Sequence, residues 1–163
     1  MKNVFIAIIS IVVFVSCSNE IREVKVDKKA GEWVSSGTKF VMGSDEKVEI
    51  VRNLLLSYAA MDAEAIFKAT RDTVRFFPYN LEKPVMMTIT DQKNMFTQYD
   101  SIISKPVFFL PYELEGVRSI VEVTSTEIKY KKDGTVEKDL FLEKFIFGDD
   151  GKIHTVRQWR AAW

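Results

Sequence analysis

The chain ends in three long stretches rich in β-branched and aromatic residues, 117–130, 137–147 and 152–163, separated by Asp133-Gly134 and by Asp149-Asp150-Gly151. Such residues suit a pleated, half-buried surface, and Asp-Gly supplies the positive φ that a hairpin turn needs. Strands joined by turns this short pair antiparallel, so the end of the chain is predicted to form a meander. No other feature constrains the fold as much.

The closing hairpin allows a register to be written. With Asp149-Asp150-Gly151 as a three-residue loop and Gly151 in the left-handed region, Gly148 opposes Lys152. Phe147 then faces Ile153, Phe145 faces Thr155, Glu143 faces Arg157 and Phe141 faces Trp159. Side chains alternate along a strand, so all eight share one face. A carboxylate opposite a guanidinium on an aromatic surface is expected either to orient a ligand or to serve as an ordinary cross-strand ion pair.

Helical spacing precedes the meander. Ser44 or Asp45 caps a helix to about Met61, whose stripe is Val48, Val51, Leu55 and Tyr58. Asp62 caps a short helix from Ala63 to Ala69. "TVRFF" and "VMMTI" read as strands, and Thr90 as the cap of a third helix from Asp91 to Ile102. The order is helix, helix, strand, helix, then meander.

Two segments, "EIVRNLLLSYAAMDAEAIFKATRDTVRFFP" and "EKFIFGDDGKIHTVRQW", resemble the opening and closing parts of the nuclear-transport-factor-2-like (NTF2-like) superfamily, in particular its SnoaL-like branch. The resemblance covers residues 44–163. It implies an α+β fold: a curved antiparallel sheet wrapped around N-terminal helices to form a cone, a cystatin-like roll. It also implies a conical pocket, in which catalytic members use Asp, His or Tyr as acid–base groups.

In that pocket the candidate ligand-binding residues are Glu143, Arg157, Phe141, Phe145, Trp159, Tyr58 and Tyr99. Glu143 and His154 are the candidates for proton transfer, although His154 alternates away from the Glu143 face. The chain has one histidine and one cysteine and no clustered carboxylate spacing, so no metal site is expected. No phosphate-cradling glycine loop or nucleophile elbow occurs, and no cofactor is implied.

The start of the chain carries a different signal. Lys2 precedes an apolar run from Val4 to Val15 broken only by Ser10, a length suited to a secretory segment and short for a membrane span. Phe14-Val15-Ser16-Cys17 is similar to the lipobox of bacterial lipoproteins, with Phe14 in place of the usual leucine. The similarity implies a signal peptide over 1–16, a diacylglycerol on the Cys17 sulfur and an acylated new amino terminus. Residues 17–43, polar and charged, are expected to tether the domain, with a short strand around Trp33-Val34 and Trp33 docking part of the segment onto the domain.

The expected location is therefore the cell envelope, anchored to the outer membrane. With 23 basic and 23 acidic residues the chain lacks the strongly basic balance of a nucleic-acid binder. A single cysteine excludes an intrachain disulfide, so twelve Phe, five Tyr and three Trp must build the core. Two functions fit: a lipid-anchored module binding a small hydrophobic ligand without catalysis, and a SnoaL-like enzyme of isomerase, dehydratase or cyclase type. A homodimer through the outer sheet face is compatible with either.

Overall fold

Three helices pack into the hollow of one curved, unclosed sheet of eight strands. The computed structural model describes residues 29–114 and 118–161; the expected signal segment, Cys17 and the first part of the expected tether lie outside them. In chain order the elements are β1 (Lys29–Trp33), β2 (Thr38–Met42), α1 (Asp45–Ala59), α2 (Ala63–Ala69), β3 (Thr70–Phe77), β4 (Val85–Thr88), α3 (Ile89–Phe96), β5 (Tyr99–Leu114), β6 (Arg118–Lys131), β7 (Val136–Phe147) and β8 (Ile153–Ala161). The sheet order is β1-β2-β5-β6-β7-β8-β3-β4. Every pairing is antiparallel except that between β3 and β8, which is parallel.

Val51, Leu54 and Leu55 of α1, Ala63 and Ile66 of α2 and Phe96 of α3 are buried against Val121, Val123, Phe145, Phe147 and Ile153 on the concave face. At the start of α2 the Asp62 carboxylate accepts a bond from Ala65 N–H at 2.9 Å, satisfying a donor that a helix end otherwise leaves open.

Three expectations are corrected. The stretch read as a tether is, from Lys29 onward, a hairpin whose second strand continues the sheet, with Phe40 opposite Leu114 and Met42 opposite Tyr112. The third helix starts two residues earlier and ends sooner than expected. Thr88 and Asp91 form a reciprocal capping box, and the chain turns to strand at Tyr99. Tyr99 and Ile102 therefore belong to β5, which runs through Pro106 and Pro111. Pro106 is tolerated there because β2 pairs only with the last residues of β5, leaving that part of its outer side an edge, and Pro111 stands where the pairing ends, its carbonyl accepting a bond from Gly43 N–H at 3.1 Å.

The third correction concerns the closing hairpin. Gly148 N–H bonds Lys152 O at 2.9 Å, Gly151 has φ 73°, and Phe147 opposes Ile153, as the loop predicts. The register then slips by one at a bulge, and Ile146 rather than Phe145 faces Thr155. Beyond it Glu143 faces Gln158, Lys144 faces Arg157, Leu142 faces Trp159 and Phe141 faces Arg160. A bulge bends and twists its strand. On its other side β8 meets β3, whose register is irregular over the same residues. The expected Glu143–Arg157 pair does not exist; the two side chains point to opposite faces.

Candidate functional site

A pocket of about 410 Å³ opens between the helices and the concave face. Leu54, Leu55 and Tyr58 of α1, Ile66 of α2, Val74 and Phe76 of β3, Met95 of α3, Tyr99, Phe145 and Val156 make its apolar walls. One wall is polar. The β6–β7 register sets Glu127 beside Asp139 and Lys129 beside Glu137, and alternation places Glu143 and Gln158 on the same face.

Most of the charge on that wall is paired. Lys129 Nζ lies 2.8 Å from Glu127 Oε2, to which the Tyr58 hydroxyl also donates at 3.5 Å. Arg160 Nη2 lies 2.6 Å from Asp139 Oδ1, and Lys131 Nζ 2.5 Å from Glu137 Oε1. Glu143 is the exception. It is 6% exposed, its Oε1 accepts a bond from Gln158 Nε2 at 3.1 Å, and its Oε2 has no hydrogen-bond partner.

Burial, with the neighbouring Glu127 charge adding, pushes the Glu143 carboxyl up to about 8, against the opposing pull of Gln158 and Lys129. At neutral pH Glu143 thus holds a proton that it can give or exchange. Burial also raises the Tyr58 hydroxyl well above its ordinary value, reinforced by Glu127 and Glu143. For Lys129 burial works downward, but Glu127, Tyr99 and Glu143 outweigh it and its pKa rises, so the ammonium stays charged.

The structure brings Glu143, Phe145, Tyr58 and Tyr99 together around the pocket. It does not bring Arg157, Trp159 or Phe141 to the pocket wall. Arg157 lies on the convex face with its guanidinium 4.2 Å from the Phe77 ring centre, and Trp159 is 43% exposed there beside Lys144. Both were placed inward by a register that the bulge overrides. Phe141 is on the concave side but buried beneath Tyr79, ring centres 5.5 Å apart.

His154 sits at the bulge, outside the pocket, with Nδ1 2.8 Å from Thr155 Oγ1. Its pKa is lowered by burial and then by Arg71, Arg118 and Arg75. Sequence reasoning missed Glu127, Lys129, Asp139 and Gln158. A usable signal was present in β6, where Ser125, Glu127 and Lys129 continue the alternation set by the buried Val121 and Val123. Among the described residues no group of three or more His, Cys, Asp or Glu is placed to hold a metal.

No family model matches the sequence, and no curated protein matches it. Solved structures do. An NTF2-like superfamily protein from Salmonella enterica serovar Typhimurium superposes with a TM-score of 0.60 at 13% identity, over 73% of this chain and 91% of that one. A SnoaL-like protein of unknown function from Burkholderia thailandensis gives 0.56 at 13% identity, over 74% and 98%. The fold is NTF2-like. TerC, co-crystallised with polyporic acid, has the same architecture, with a TM-score of 0.52 at 17% identity over 71% of this chain and 91% of TerC. At these identities the likeness is one of fold.

Proposed function

We propose that this is a lipid-anchored cell-envelope protein whose NTF2-like pocket binds a small, largely hydrophobic molecule without transforming it. The observation that carries the reading is the pocket itself: about 410 Å³, with apolar and aromatic walls and its charged groups confined to β6 and β7. Cavities of this kind fix a ligand by area and orient it by a few polar contacts. Three of its four acids are occupied in ion pairs, which leaves little machinery for chemistry. TerC, with the same fold, was crystallised with a small molecule, and that supports a binding role here. The anchor rests on Cys17 and the apolar run before it.

A thermal-shift screen of small lipophilic molecules against the full protein in detergent tests the reading. A ligand at about 100 times its dissociation constant adds roughly 2.7 kcal/mol, or about 5–10 °C in a domain of this size. A broad, chemically varied screen without any such shift contradicts it.

One observation favours a second reading, acid–base catalysis of the isomerase, dehydratase or cyclase type. Glu143, raised to about 8 by burial, titrates close to neutral pH, where general acids and bases work best. Under that reading Glu143→Gln keeps binding and abolishes turnover of the molecule found by the screen.

A further inference from the structure

The four acids on the pocket wall are not equivalent. Glu127 has Lys129, Glu137 has Lys131 and Asp139 has Arg160. Glu143 has no cation: among the described residues no lysine, arginine or histidine forms an ion pair with it, and its Oε2 is buried without a hydrogen-bond partner. The groups that face it come from four elements. Tyr58 (α1) and Tyr99 (β5) bring aromatic rings. Glu127 and Lys129 (β6) are engaged with each other, and Gln158 (β8) donates to Oε1.

An amide N–H aimed at a carboxyl oxygen and an ammonium nearby both favour the ionised form; burial and Glu127 oppose it. Burial and Glu127 win in the empty pocket, and the buried Oε2 is the one carboxyl oxygen of Glu143 left without a partner, a place that an added countercharge would fill. Aromatic faces around such a point also attract cations.

We propose that the pocket takes an organic amine, its protonated nitrogen paired with Glu143 Oε2 and its apolar body held against the aromatic wall. The proposal rests on the reading of this cavity as a small-molecule site. Binding exchanges one positive charge for another: the ammonium enters and the Glu143 proton leaves to solvent, so the charge of the pocket is unchanged. Below about pH 8, where Glu143 is protonated in the empty pocket, each unit of pH rise strengthens binding about tenfold. The gain levels off above that point and reverses near pH ~10, where an alkylamine itself loses its proton.

Isothermal calorimetry on the full protein in detergent, with tryptamine, its neutral counterpart tryptophol and the anion indole-3-propionate, tests this. Tryptamine is expected to bind at least about tenfold tighter than tryptophol at about pH 8, and the propionate weakest. At about pH 6.5 tryptamine binding should release close to one proton, read from buffers of different ionisation heat. Glu143→Gln should melt cooperatively and bind tryptamine and tryptophol alike.

If tryptophol binds as tightly as tryptamine, or binds better with an affinity that falls above about pH 8, the pocket takes a neutral acceptor. The amine proposal is then overturned while the small-molecule reading stands. Absence of binding by all three also overturns the amine, and leaves the small-molecule reading to the thermal-shift screen. A tryptamine preference that survives Glu143→Gln would place the charge readout elsewhere and overturn the assignment.

Discussion

Glu143 is the residue at which sequence, packing and chemistry meet. Because its carboxyl is raised to about 8 in the folded protein against an ordinary value near 4.5, the folded state binds the proton more tightly than the unfolded chain. The stability this group contributes is complete below about pH 4.5 and is lost as pH rises toward about 8. Glu143→Gln, neutral at every pH and nearly the same shape, should flatten that slope. The variant is expected to be more stable than the parent at about pH 8.5 by roughly 1–3 kcal/mol in urea melts, with little difference at about pH 5. Equal slopes for the two proteins would show that Glu143 is not desolvated. Arg157 provides the contrast. Exposed on the convex face over Phe77, it should cost less than about 1 kcal/mol on replacement by alanine. A loss of about 3 kcal/mol or more would mean that it is buried in a pair after all.

At the scale of elements, the meander, the helices and the turns were legible because each follows from local chemistry. Asp133-Gly134 is a turn signal, and the run that follows, Val136 to Phe147, is rich in β-branched and aromatic residues. Ser44, Asp62 and the stretch Ala63–Ala69 mark the helix boundaries by capping preference and apolar spacing. The bulge in β8 was not legible. Nothing in "KIHTVRQW" distinguishes a regular strand from one with an extra residue; the partner whose register is irregular beside the bulge is β3, which lies parallel alongside and about eighty residues earlier in the chain. That one residue decided which of Arg157 and Gln158 met Glu143. The parallel placement also makes β8 an interior strand, flanked by β7 and β3. Deleting residues 152–163 should therefore abolish the cooperative thermal transition, since it removes buried Ile153 and opens two edges. Circular dichroism that still showed a sharp melt would demote β8 to a peripheral strand. The capping box of α3 predicts a smaller effect: Thr88→Ala should cost about 1 kcal/mol in the same assay.

At the scale of the whole molecule, the curved sheet and the three helices enclose a pocket without filling it. The mean of the composition, balanced in charge and rich in aromatics, predicted a well-packed domain but not which polar residues would turn inward. Glu127, Lys129 and Asp139 face in because their strands alternate through the concave side, and they are tolerated there because each has a partner. The proposed anchor belongs to this scale too. Cys17→Ala should leave an unlipidated precursor, and mass spectrometry of the membrane fraction checks it; wild-type protein without a lipid-modified Cys17 would contradict the anchoring. The central claim, however, is that the pocket is built around one buried acid without a countercharge. A carbon-13 NMR titration of the Glu143 side-chain carboxyl measures that directly: the account predicts a midpoint near 8. A midpoint at the ordinary value of 4.5 would contradict it.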